Sequence, residues 1–280
     1  MQHQISYDDL DRLGLLRKIV TELSRFSMGF VKVVDRNNKE DMVFAGSGTL
    51  IQAKEHFGVL TADHVLQNLI GKQVGVILPS LGKGTTHRII IDMAKSDYLQ
   101  IGAASYSSSG PDLGILILHR DDVVRLENWS AFYNLSKRRE RLLSNPRDIN
   151  AGGWFLCGAP DEWTAETKPD RAFTKIMTFS GFCGAAVVGA ERITSEFDYL
   201  DVDVAANGKY EGPLNFQGVS GGGVWQVVIE DRGGQIRIAE YLLSGVAFYQ
   251  LVENDLPRTI TCHGRRSIYE SLFRKLSETS

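Results

Sequence analysis

Short β-rich runs with turn residues between them constrain this chain more than any other feature. From Gly29 to about Arg120 they are Phe30–Val34, Met42–Phe44, Gly48–Ile51, Gly58–Leu60, Val74–Leu78, Arg88–Ile91 and Leu113–Leu118. Each holds β-branched or other apolar residues, which fit a pleated, half-buried surface. Asp35-Arg36-Asn37-Asn38 is a turn signal between the first two, and Pro79 closes the fifth. A second set follows at Gly153–Cys157, Lys175–Phe179, Ala185–Val188, Tyr199–Val202, Val224–Ile229 and Ile236–Phe248. Twenty-eight glycines against seven prolines suit an all-β chain with many turns. The expected fold class is all-β, with two six-stranded antiparallel β-barrels over residues 29–130 and 151–262. Residues 131–150 read as the crossover between them, and Lys137–Arg141 within it as a solvated surface. At 280 residues and 43% hydrophobic content the chain can bury a core of that size.

Helices are expected at both ends. Residues 1–28 form an N-terminal helical extension, because Asp8 or Asp9 can cap a helix from Tyr7 to Arg25 with Leu13, Leu16, Val20 and Leu23 on one face. That helix either packs on a barrel surface or docks a regulatory protein partner. Residues 263–280 read as a closing helix with Ile268, Leu272 and Leu276 aligned.

Composition excludes several function classes. A net charge of −3 and a pI near 6.1 give no footprint for nucleic acid. No apolar run approaches the roughly 18 residues of a membrane span. Cys157, Cys183 and Cys262 are odd in number and lack CxxC spacing, so neither structural zinc nor a disulfide framework is expected. No metal or cofactor site is therefore predicted. Met1 to Leu10 is polar and acidic, without the basic-then-apolar order of a secretory signal, so the expected location is cytoplasmic.

Three stretches carry chemistry. Gly218-Val219-Ser220-Gly221-Gly222-Gly223 stands directly before the strand-like Val224–Ile229. A serine among glycines suits a nucleophile whose neighbouring N–H groups crowd an oxyanion, although a glycine cluster beside a strand is by itself also a plain turn. Thr61-Ala62-Asp63-His64 follows the strand-like Gly58–Leu60, and Asp112 opens the apolar run Leu113–Leu118. A serine hydroxyl is a weak nucleophile at neutral pH. It needs a base, and the base needs a third group to fix its tautomer. His64, Asp112 and Ser220 can fill these roles, and neither Asp92 nor Asp97 opens an apolar strand as Asp112 does. His3, His56, His87, His119 and His263 show no spacing that suggests a metal site and read as surface or locally satisfied residues.

Taken with Ala45–Leu50 before the histidine and Leu243-Ser244-Gly245-Val246 after the serine, these motifs resemble the trypsin-like, chymotrypsin-fold serine peptidases of the bacterial, disulfide-free type. The resemblance spans most of the chain. It implies a serine endopeptidase acting on a protein or peptide substrate, with the site between the barrels. Ser220 would be the nucleophile, His64 the base and Asp112 its orienter, with the N–H groups of Gly218 and Ser220 as the oxyanion hole. The alternative is a catalytically silent module of the same fold used for binding or scaffolding. Four positions depart from the family pattern. Val219 replaces an aspartate that secreted trypsins use for activation, Gly223 a proline, Gly114 an alanine, and Asp63 a small residue. The family's pocket floor falls on Leu214, with Phe248, Tyr249 and Gln250 as the far wall. This implies an apolar or small residue before the cleaved bond.

Overall fold

The computed structural model describes residues 7–36, 39–78, 87–145, 151–163, 165–167, 176–178, 180–204, 213, 215–253 and 256–279. The N-terminal segment is two helices, α1 (Tyr7–Arg12) and α2 (Leu15–Ser24). Gly14 separates them at φ +65°, a conformation that carries little penalty for glycine. The break resets the helical register. Leu15, Ile19 and Leu23 are the buried face of α2, while Leu13 lies in the break and is 45% exposed. The expected single helix through Leu13, Leu16 and Val20 is corrected accordingly. The apolar face of α2 joins the main hydrophobic core.

The first lobe contains β1 (Ser27–Arg36), β2 (Lys39–Ala53), β3 (His56–Thr61), α3 (Asp63–Gln67), β4 (Gln73–Leu78), β5 (His87–Ile91), β6 (Asp97–Gly102) and β7 (Leu113–Ile117). Its strands pair in the order β5-β4-β1-β2-β3-β7-β6, seven rather than the six expected. The two ends of this path are joined by Asp92–Ser96 alone. Seven flat strands would hold their edges about 29 Å apart. So short a link spans roughly 20 Å, so the sheet curls on itself. β2 is continuous where the sequence shows two runs. Phe30 pairs with Gly46 and Val31 with Phe44, so Ala45 is an inserted residue that bends the strand.

Between the two sheets the chain forms α4 (Arg120–Glu127), the short β8 (Tyr133–Asn134) parallel to β2, and α5 (Arg139–Ser144), the last two within the expected crossover. Its arginines do more than face water. Arg138 lies over the Tyr133 ring at 4.4 Å, Arg139 Nε donates to the Tyr269 carbonyl at 2.7 Å, and Arg141 pairs with Glu240.

The second lobe is a closed barrel built from β9 (Gly153–Gly158), β12 (Phe182–Thr194), β13 (Phe197–Asp203), β14 (Gly223–Arg232), β15 (Gln235–Glu253) and β16 (Leu256–His263). The intervening β10 (Ala165–Thr167) and β11 (Ile176–Thr178) form a separate two-stranded ribbon. The expected strand at Lys175–Phe179 therefore supplies β11 and no barrel stave, and its end residues lie outside the described set. β16 takes the sixth place. A wide π turn, Ser267–Ser271, leads into α6 (Leu272–Glu278), with Ile268, Leu272 and Leu276 fully buried as expected. The architecture is mostly β, with a closed six-stranded antiparallel barrel, a second sheet and helices at both ends.

Candidate functional site

β3 delivers the chain into α3, so His64 sits in the first turn of a short helix. The backbone N–H groups of a first turn have no partner within the helix. Asp112 supplies one, because its Oδ1 accepts the His64 N–H at 2.9 Å. Its other oxygen, Oδ2, meets His64 Nδ1 at 2.6 Å. A single carboxylate, 2% exposed, thus holds both the backbone and the ring of the histidine. The charge on Asp112 fixes the tautomer, since a carboxylate only accepts. Nδ1 carries the proton, which leaves Nε2 free to take another.

Asp63 serves a different purpose. It is fully buried and accepts from Gln67 Nε2 at 2.6 Å, Gln100 Nε2 at 2.8 Å, the Ala104 N–H at 2.9 Å and the Tyr98 hydroxyl. It ties α3 to the end of β6. The departure at Gly114 fits this arrangement, because a Cβ there would lie 2.9 Å from Leu66 Cδ1 and 3.5 Å from Asp63 Oδ1. Burial, followed by the hydrogen bond and charge of Asp63, pushes the Tyr98 pKa up, which keeps that hydroxyl a donor.

The segment around Ser220 is pinned through its carbonyls. The Gly218 carbonyl accepts from Ser47 Oγ at 2.7 Å, and the Ser220 carbonyl from the Ser47 N–H at 2.8 Å. The Gly221 N–H donates to the Ala247 carbonyl at 2.7 Å, and the Ala247 N–H returns to Gly222 at 2.9 Å. Among the described residues, the N–H groups of Gly218 and Ser220 donate to no protein acceptor. Gly221 adopts φ +91°, and a Cβ on it would fall 2.0 Å from both the Ser47 carbonyl oxygen and Thr61 Oγ1. The expected result for Gly221→Ala is a loss of about 3 kcal/mol of stability, strain and overpacking together. Urea unfolding of the two proteins checks it, and a midpoint within error of the parent would contradict it.

His64 and Ser220 line one cleft of about 500 Å³. Its other walls are Lys32, Phe44, Ala45 and Asn68 from the first lobe and Asn215, Phe216, Gln217, Gly218 and Gln250 from the second. The bulge at Ala45 turns that residue into the opening. Leu214 lies outside the described residues. Phe248 does not line this cleft. It points inward at 3% exposure with its ring 4.7 Å from His263, and Tyr249 packs against the main core. The far wall is Gln250, whose Oε1 accepts the Phe216 N–H at 3.1 Å.

Two residues near the site were given no part in it by the sequence reading, which took His263 as a surface or locally satisfied residue. Tyr106, 68% exposed, stands with its ring 6.1 Å from His64. His263 is fully buried, and its Nε2 accepts the Asp112 N–H at 3.1 Å. Sequence carried a faint signal for His263, because alternation along β16 puts it on the opposite face from Ile260 and Cys262, which fill the barrel. Burial, with the charge of Arg192 acting in the same direction, lowers its pKa to about 3. The unfolded chain binds a proton at this position below about pH 6.5, whereas the folded chain does not. The contribution of His263 to stability is therefore complete above pH 6.5 and shrinks as pH falls toward 3, by about 1.4 kcal/mol per pH unit. The groups facing it are Asp112, Asp198, Arg192 and Ser267. Urea titrations at pH 7, 6 and 5 should show a steeper loss for the parent than for His263→Gln, and equal slopes would contradict this.

Cys157 and Cys262 offer no rival nucleophile. All three cysteines are free thiols, and burial pushes the pKa of Cys157 and of Cys262 well up. Among the described residues no group of three or more His, Cys, Asp or Glu could hold a metal ion, and no helix is long and apolar enough to cross a membrane.

No protein-family model matches the chain, and no curated protein does. Among solved structures, a Drosophila protein described as the Grass clip serine protease of the Toll pathway superposes with a TM-score of 0.51 over 92% of this chain and 71% of its own, at 13% identity. The fold is chymotrypsin-like. On this frame the first lobe contributes His64 to the cleft, with Asp112 buried behind it, and the second contributes Ser220. At 13% identity the likeness concerns this frame alone, and the chemistry of the site has to be argued from its own residues.

Proposed function

We propose that the chain is a serine endopeptidase. Ser220 Oγ attacks the scissile carbonyl while His64 Nε2 takes its proton, and the same histidine then protonates the leaving amine. Asp112 orients the imidazole and supports the charge that it acquires. The N–H groups of Gly218 and Ser220 receive the oxyanion. A water molecule, activated by His64, then releases the acyl group from Ser220. The observation that carries this reading is the two-point grip of Asp112 on His64, in a cleft that Ser220 also lines.

Exposure of the folded chain to a fluorophosphonate, which reacts with activated serines, tests the proposal. Stoichiometric labelling is expected. A folded chain that stays unlabelled would be the silent binding module instead.

The substrate class follows from the walls. Among the described residues lining the cleft there is no carboxylate, and the fixed charge on it is that of Lys32. A substrate Arg or Lys would bury its cation without a partner, which costs several kcal/mol. A positional-scanning peptide library should therefore favour apolar or small residues before the cleaved bond, with Arg and Lys at least about tenfold worse. A dominant preference for Arg or Lys would contradict this reading of the walls.

A further inference from the structure

The carboxylate that grips His64 is itself held from the other lobe. Asp112 belongs to the first lobe and His263 closes β16 of the second, and the Asp112 N–H donates to His263 Nε2 at 3.1 Å. A backbone N–H only donates, so Nε2 must be unprotonated, and in the neutral ring the proton sits on Nδ1. That nitrogen lies 3.2 Å from Ser267 Oγ. Ser267 Oγ is within 3.0 Å of the Asp198 carbonyl and of its Oδ1, and the Ser267 N–H donates to the same carboxylate at 2.8 Å. The chain of contacts therefore runs Asp198, Ser267, His263, Asp112, His64, with no free rotor until the last ring. Aromatic rings of Phe248, Tyr199 and Phe197 surround the His263 imidazole at 4.7, 5.1 and 5.6 Å and prevent it from tilting.

We infer that His263 is a positioning residue for the triad, holding the Asp112 backbone so that its carboxylate meets the ring of His64. The inference rests on the peptidase reading above. Its distinctive claim is that a residue of the second lobe, with no contact to substrate, sets the rate of the chemical step. A misplacement of the Asp112 carboxylate by about 1 Å costs on the order of a hundredfold in rate, because the imidazole is then no longer held toward the cleft that Ser220 lines. Substrate binding along the cleft walls does not involve His263, so KM should stay near its parent value.

The test compares His263→Leu, which fills the site without an acceptor, with His263→Gln, whose Oε1 can replace Nε2 as the acceptor. Ser267→Ala, which removes the partner of Nδ1, is the third variant. The expected result is a kcat lower by tenfold to a hundredfold for His263→Leu with KM within about twofold, a smaller fall for Ser267→Ala, and recovery to within a few fold of the parent for His263→Gln. Circular dichroism shows whether each variant is folded. If His263→Leu does not fold, Ser267→Ala and His263→Gln carry the comparison. Equal kcat values in the folded variants, or a change confined to KM, would overturn the inference while leaving the triad in place. A parent protein that neither hydrolyses peptide nor reacts with fluorophosphonate would instead overturn the peptidase reading itself.

Discussion

Ser220→Ala should reduce kcat/KM for peptide hydrolysis by about 10⁴-fold or more, while circular dichroism and the urea midpoint stay near those of the parent. The fold should tolerate the change because the segment is held through its own main-chain groups rather than by the serine hydroxyl. The bonds are the Ser47 N–H to the Ser220 carbonyl, Ser47 Oγ to the Gly218 carbonyl and the exchange between Gly221, Gly222 and Ala247. Removing Oγ takes away the attacking atom and leaves the N–H groups of Gly218 and Ser220 where they were. Purified protein assayed with a fluorogenic peptide pool checks this. Hydrolysis retained at the parent rate would exclude Ser220 as the nucleophile.

Asp112→Asn should be nearly as damaging, with kcat lower by about 10⁴-fold, although the substitution changes one atom. The reason lies in the two bonds that Asp112 makes. The His64 N–H can only donate, so the amide oxygen of an asparagine must turn toward it, where Oδ1 now stands at 2.9 Å. The amide NH₂ is then presented to His64 Nδ1, at the place of the oxygen now 2.6 Å away. Nδ1 is forced to accept and the ring proton moves to Nε2, which can no longer receive the proton of Ser220. Steady-state kinetics at neutral pH measure the effect. An Asp112→Asn variant within tenfold of the parent kcat would show that the tautomer of His64 is not set by this residue.

Much of the frame was legible because the β-rich runs of both lobes report on local packing. Val74–Leu78, Leu113–Leu118 and Val224–Ile229 fall where strands form, since a buried strand needs apolar residues whatever its partners. β6 and β16 were not legible. Asp97-Tyr98-Leu99-Gln100 carries polar side chains that face Asp63, and β16 begins at Leu256-Pro257 and alternates with threonines, so neither reads as a strand until its neighbours are known. The buried face of α2 was misjudged by one residue at two places, Leu15 and Ile19 standing where Leu16 and Val20 were expected, because Gly14 takes a left-handed conformation that a spacing argument does not anticipate.

At the site, motif order singled out His64, Asp112 and Ser220, and the structure sets His64 against Asp112 and on one cleft with Ser220; their catalytic roles are the proposal made above. The support beneath them was not legible. Asp63 and Gly114 are separate oddities in one dimension and fit together only when Leu66 and Tyr98 are seen between them. His263 lies 151 residues from Asp112 in the chain, and nothing local to either predicts their bond. Phe248 was expected on the pocket wall from its place after the serine. It turns inward because the ring of His263 offers it a buried face, which leaves Gln250 in the opening.

The most direct test of the account is a crystal structure of the chain treated with a peptidyl boronic acid carrying an apolar side chain at the reactive end. The prediction is a tetrahedral boronate bonded to Ser220 Oγ, with one boronate oxygen 2.7–3.1 Å from the N–H groups of both Gly218 and Ser220, and with His64 still gripped by Asp112. An unmodified Ser220 in a folded chain, or an adduct whose oxygen points away from those two N–H groups, would contradict it.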